Sequence, residues 1–341
     1  MRGILSLTAF LAALSPAVAT HQGFNYGAFF TDTTSKKQAD FEADFNLAQD
    51  LQGFPTGTFN SARLYTMVQP GATDQPISAI PAVITTNTTL LLGLWCSAGP
   101  SAFTSELAAL TTAMRIYSKP FTDLVLGISV GSEDLYRSSA TGRSMNAGPG
   151  ATAVEIVEYI RQLRERLRGT PLERVPIGHV DTWSEWVEEG NREVLGAVEF
   201  VGMDAYSYWQ GKMENGVEQA GRLFNVAMVE TDLVVEKVWE EGGLFSNKTL
   251  TPVWVTETGF PVSGMTVGKA VPLAENALRF WQEVGCGMLF GRVNTWWYTL
   301  RDVSRGTPVP SFGILGGSMG GQPLFELSCE KKREEGTCDA E

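Results

Sequence analysis

Histidine is nearly missing from this chain: two in 341 residues, His21 and His179. Cysteine is scarce at four, and neither a CxxC pair nor an HExxH signature occurs. Zinc sites use such ligands at such spacings, so the pattern argues against zinc. The histidine shortage also bears on Gly127-Ile128-Ser129-Val130-Gly131, which matches the GxSxG elbow of serine hydrolases. That elbow must run straight into a helix, yet the following EDLYRSSATG is broken by small and turn-prone residues. No GxGxxG follows the first strand-like run, which argues against a dinucleotide site. Basic residues are outnumbered, 26 against 38 acidic ones, for a net charge of −12. Such a surface repels nucleic acid and acidic membranes, whereas a neutral substrate suits it. No stretch is long enough to span a bilayer. The charged end CEKKREEGTCDAE lacks a lipid-anchor tail, so no membrane anchor is expected. There is no repeat of 20–50 residues and no low-complexity linker.

Hydrophobic content of 43% and charged content of 19% are those of an ordinary globular protein. MRGILSLTAFLAALSPAVAT has a short positive start at Arg2, an apolar stretch from Ile4 to Leu14 and a small-x-small site at Ala17-Val18-Ala19. It reads as a secretory signal, residues 1–19, cut after Ala19. Cleavage leaves 25 basic and 38 acidic side chains, a charge of −13. Export permits disulfides. Cys329 and Cys338 lie close together in a polar tail, 321–341, and are expected to pair. Cys96 and Cys286 form either a second bridge or two buried thiols. The strand assignment favours thiols, since one ends a strand and the other precedes one. Asn87 and Asn247 head glycosylation sequons, in keeping with export.

Strand-like runs recur at 23–30, 61–68, 89–96, 124–131, 175–183, 199–209, 252–260 and 293–300. Helix-like periodicity separates most of them, at 37–52, 102–117, 153–168, around 217–240 and at 272–284. Eight strands alternating with helices predict an α/β fold, a single-domain (β/α)8 barrel over 20–320. Polar and aromatic residues gather at the strand ends: Tyr26, Arg63, Trp95, Glu133, Asp181, Tyr206, Glu257 and Trp296. In such barrels the active site lies at that end.

Two of these runs, LVLGISVGSE and PVWVTETGFP, are buried-strand sequences that end in a carboxylate, Glu133 and Glu257. They lie 124 residues apart, on the fourth and seventh of eight strands, so they can face each other across the barrel mouth. Paired carboxylates, one a proton donor and one a nucleophile or base, are what glycoside hydrolysis requires. Nine tryptophans suit stacking on sugar faces, and Trp95, Trp209, Trp296 and Trp297 fall near strand ends. One of the adjacent Trp296–Trp297 pair is expected in the core, because neighbours on a strand point oppositely. Arg63 can pin a carboxylate or serve a structural ion pair. His179 and Asp181 share a strand face and form either a support for the site or a self-satisfied polar pair.

GFNYG, SARLY, VLGISVGSE, VTETGFP and NTWWY resemble family 17 glycoside hydrolases, the β-1,3-glucanases, particularly fungal secreted members. The resemblance spans about residues 22–300. It implies a (β/α)8 barrel, retention of configuration, no cofactor, and a β-1,3-glucan substrate for a secreted enzyme of the cell wall or medium, expected to be a monomer. It makes Glu133 the acid/base and Glu257 the nucleophile, with Tyr26, Arg63, Tyr206 and Trp296 lining or supporting the catalytic subsite. Two departures stand out. Ser132 replaces the asparagine that usually precedes the acid and is expected to contact the sugar 2-hydroxyl. ETGFP replaces ETGWP. The acidic and lysine residues that plant members carry near the last strand are not evident. Two other readings use the same residues: a glucanosyltransferase, and a non-catalytic glucan-binding wall protein.

Overall fold

The computed structural model of the protein describes residues 20–55, 57–242, 250–302, 309–316 and 321–329. The expected signal segment 1–19, Asn247 and Cys338 lie outside them. Short apolar runs buried on both faces become the strands β1 (Gln22–Tyr26), β2 (Ser61–Leu64), β3 (Thr89–Leu94), β4 (Val125–Val130), β5 (Ile177–Thr182), β6 (Phe200–Asp204), β7 (Val253–Glu257) and β8 (Thr295–Trp297). They pair in parallel in chain order, and β8 pairs back onto β1, closing the barrel. The (β/α)8 expectation is borne out.

The helices are α1 (Gln38–Gln49), α2 (Ala79–Thr86), α3 (Pro100–Thr122), α4 (Asp134–Ser138), α5 (Ala140–Ser144), α6 (Ala153–Leu167), α7 (Trp183–Trp186), α8 (Arg192–Leu195), α9 (Val217–Glu240) and α10 (Ala274–Phe280). A wider helical segment, Trp281–Leu289, continues from α10. Helix α6 illustrates the local logic. Thr152 and Glu155 cap its start reciprocally, satisfying free N–H groups of the first turn. Ile156, Tyr159, Ile160, Leu163 and Leu167 then bury one stripe. No helix of the described residues is long and apolar enough to cross a membrane.

Two layers of packing follow from strand alternation. Outward residues meet the helices in the main core. Inward, Leu91, Phe200, Trp254 and Trp296 fill the barrel, with Phe200 stacked on Trp254 at 4.0 Å between ring centroids. This plug is the floor on which the site rests.

The cysteine expectation needs correction. Cys329 bonds to Cys286, not to Cys338, and Cys96 is a buried free thiol. Nearness in sequence was the wrong guide. Trp281 Nε1 and Gln282 Nε2 donate to the Leu327 and Ser328 carbonyls, which lays the C-terminal segment over the Cys286 turn. The bridge spans 43 residues, and closing a loop of that length stabilises by about 4 kcal/mol in the chain-entropy model. It lies ahead of β8, at the end of the barrel opposite the strand C-termini.

Candidate active site

The strands deliver their last inward side chains to one spot. One carboxylate oxygen from each of Glu133, Asp204 and Glu257 lies within 4.8 Å of the other two. Glu257 ends β7 and is 7% exposed. Three donors converge on it: Arg63 Nη1 at 2.5 Å and Tyr65 Oη at 2.8 Å on Oε1, and Tyr206 Oη at 2.6 Å on Oε2. Arg63 is fully buried. It also donates to Asn25 Oδ1 at 2.7 Å and to Ser132 Oγ at 2.9 Å. Burial opposes its charge, but the charge of Glu257 and its hydrogen bond to the guanidinium help to outweigh burial, and its pKa rises. Asn25 is held in turn by three backbone carbonyls, of Thr256, Trp296 and Trp297. The guanidinium is thus braced from β1, β7 and β8.

Glu133 sits differently. The chain leaves β4 through Gly131 at φ +80° and Glu133 at φ +56°, both in the left-handed region. A Cβ at Gly131 would lie 2.2 Å from Asp134 Oδ2 and 2.7 Å from Cys96 Sγ, so only glycine fits. Several bonds hold the turn. Glu133 N donates to the Val180 carbonyl, Ser132 N to Asp134 Oδ2, and Leu135 N and Tyr136 N to the carboxylate of Asp181. His179 bonds Asp181 Oδ2 through Nε2 at 3.0 Å and the Val130 carbonyl through Nδ1 at 2.6 Å. Both partners are acceptors, which calls for an imidazolium. Burial opposes that charge, but Asp181, Asp134 and the Val130 carbonyl outweigh it, so the His179 pKa is raised. His179 and Asp181 therefore support the turn that carries Glu133.

The side chain of Glu133 keeps 27% exposure and faces the mouth. Desolvation and then the Glu257 charge push its pKa up to about 7, with Asp181 adding and Arg137 and Arg63 opposing. Arg137 Nη2 lies 3.4 Å from Glu133 Oε2, and its guanidinium stacks on Trp95 at 5.0 Å. Behind the β2 end, buried Glu106 of α3 accepts from Thr66 Oγ1 and from Met67 N, fixing the turn just after Tyr65.

Glu133, Glu257, Arg63, Ser132 and Tyr206 meet in this site. Two expected subsite residues do not. Tyr26 is the outward neighbour of Asn25 and packs edge-on against Phe45 of α1, so it cannot reach a sugar. Trp296 is fully buried in the barrel floor, its Nε1 donating to Ser61 Oγ, and Trp297 is buried in the helix layer. Both tryptophans are core. Alternation in β8 brings Tyr298 to the mouth instead, edge-on to Tyr206. Trp209 is 54% exposed in the short 3-10 turn Ser207–Trp209 that follows β6. Sequence reasoning missed Asn25, Tyr65, Asp204 and Arg137. The i, i+2 rule applied back from Tyr206 and on from Arg63 would have found Asp204 and Tyr65. Ser129 of the GxSxG match is fully buried, bonding the Leu92 carbonyl, and is no nucleophile. Asn87 is exposed at the end of α2.

Comparison with known proteins agrees with the geometry. The BtgE/BtgC glycoside hydrolase domain model matches residues 23–303. A probable glucan endo-1,3-beta-glucosidase of Aspergillus fumigatus is 48% identical over 95% of this chain and 68% of its own length. A counterpart in Aspergillus oryzae is 47% identical, over 95% and 66%. The chain thus spans about two thirds of these relatives. Among solved structures, a family 17 beta-1,3-glucanosyltransferase from Rhizomucor miehei superimposes with a TM-score of 0.68, at 20% identity, over 91% of this chain and 98% of its own. The chain therefore belongs to the BtgE/BtgC glycoside hydrolase family, in agreement with the resemblance carried by its strand-end motifs.

Proposed function

We propose that this protein is a retaining glycosidase that cleaves β-1,3-glucosidic bonds in β-glucan. The observation that carries the reading is that one carboxylate oxygen of Glu133 lies within 4.8 Å of one of Glu257. Retaining enzymes hold their carboxyls about 5–5.5 Å apart, whereas inverting ones leave about 6.5–9.5 Å for a water. Glu257, gripped by three donors, attacks the anomeric carbon and forms a glycosyl ester. Glu133, protonated below about pH 7, gives its proton to the leaving oxygen. Neutralisation of Glu257 in the ester removes one cause of the raised Glu133 pKa. Glu133 then serves as base and takes a proton from the attacking water. Arg63, Tyr65 and Tyr206 orient the nucleophile, and Ser132 accepts from Arg63 beside the acid. The substrate assignment rests on the relatives' names together with the neutral-ligand chemistry of a strongly acidic protein. We further propose export after loss of residues 1–19, with the barrel as the catalytic unit and glycan on exposed Asn87.

The test is Glu257→Gln on linear β-1,3-glucan. Hydrolysis should be abolished while oligosaccharide binding persists, and the wild-type product should first appear as the β-anomer by NMR. Undiminished turnover in the variant, or an initial α-anomer, defeats the proposal. Longer chains among the products would reassign the reaction to transfer.

A further inference from the structure

The double displacement uses two carboxyls, yet the site contains three. Asp204, on β6, is 1% exposed and shares the 4.8 Å cluster. Its Oδ1 accepts from Thr256 Oγ1 at 2.6 Å. Its Oδ2 is buried and meets no protein donor. The charged groups that face it are Glu257, Glu133 and Arg63. Arg63 is the one cation of this set, and its terminal nitrogens bond Asn25, Glu257 and Ser132 rather than Asp204. An ionised Asp204 would thus combine a buried oxygen without a donor, two acidic neighbours and no direct counter-ion. Each of these disfavours the anion. A proton on Oδ2 removes all three difficulties, because the stranded acceptor becomes a donor in a region rich in carboxylate oxygens.

We propose that Asp204 remains a neutral carboxylic acid through the whole cycle and acts as a positioning residue for Glu257, supplying a hydrogen-bond donor without a second buried charge. Burial, then the charge of Glu257, and further Glu133, push its pKa well above the ordinary carboxyl value against the pull of Arg63 and Thr256. The inference rests on the catalytic reading above, so its test includes a readout that does not need turnover.

Asp204→Asn preserves shape, charge and a donor. Its kcat/KM should stay within about threefold of wild type, with the acidic limb of the pH profile unmoved. If Asp204 were ionised, the same change would remove a like charge beside Glu257 and shift that limb down by roughly 1–3 units. That shift overturns the proposal. Asp204→Leu removes the donor, and kcat should fall about ten- to hundredfold with KM little changed. Full kcat in that variant also overturns it. If the variants fail to fold, carbon-13 NMR of the wild-type protein labelled at aspartate carboxyls decides. One carboxyl should stay protonated at pH about 6, where an ordinary aspartate, with pKa about 3.9, is ionised. Its absence overturns the proposal. Loss of turnover on chelation, restored by Ca2+ or Mg2+, would replace the proton by a cation and also overturn it. Failure of the wild type to cleave glucan, with the protonated carboxyl still present, would fault the catalytic reading alone.

Discussion

Replacing Arg137 by methionine tests one influence on the acid, and it also removes a donor to the Ser132 carbonyl. Methionine keeps part of the apolar stem against Trp95 and removes the charge. The guanidinium lies 3.4 Å from Glu133 Oε2. At that distance a unit charge pair is worth about 1 kcal/mol in bulk water and about 5 kcal/mol at an effective dielectric of 20. Both side chains are partly exposed, at 16% and 27%, which puts the interaction towards the lower figure. About 1.4 kcal/mol corresponds to one pKa unit. The sign follows from the proton. Arg137 favours the anion of Glu133, so its loss raises the pKa. Glu133 must carry a proton to act as acid, so activity falls as pH rises through about 7. In Arg137→Met the basic limb of kcat/KM should move up by roughly one unit while the low-pH plateau survives. The limb reports the Glu133–Glu257 pair rather than one residue. A limb that stays in place or moves down, with the plateau intact, refutes this account of the acid.

Two further outcomes test the frame. Cys286→Ser should lower unfolding stability by up to about 4 kcal/mol in urea denaturation, with kcat/KM unchanged in the folded protein, because the bridge lies at the end of the barrel opposite the site. Unaltered stability would reject the Cys286–Cys329 pairing. His179→Gln tests the imidazolium. Its folded pKa is raised, so the stability it contributes is complete below the ordinary value of 6.5 and is lost as pH climbs above that value. The stability gap between wild type and variant should therefore shrink from pH about 6 to pH about 8, and a gap that widens contradicts the charge assignment.

How much of this was legible in the sequence differs from residue to residue. Glu133 and Glu257 were readable because each ends an apolar run too hydrophobic to be anything but a doubly buried strand. Arg63 and Tyr206 were readable from the motifs around them. Tyr26 and Trp296 were misplaced because a strand-end position does not say which way the side chain faces. In β1 the inward place goes to Asn25, and Tyr26 turns to α1. In β8 Trp296 does point inward, but low enough to join the aromatic floor. Asp204 gave no signal of its own, since a single aspartate in MDAYSYW looks like any strand-end acid.

The sequence alone determined the alternation of strands and helices, the two acids on the fourth and seventh strands, and a chemistry without histidine, because periodicity and composition are local properties. Closure of the barrel decided the rest. It set the 4.8 Å meeting of three carboxyls, the grip on Glu257, the desolvation that lifts Glu133 to about 7, and the partner of Cys329. Those are distances between atoms far apart along the chain, and shear between paired strands fixes them in three dimensions.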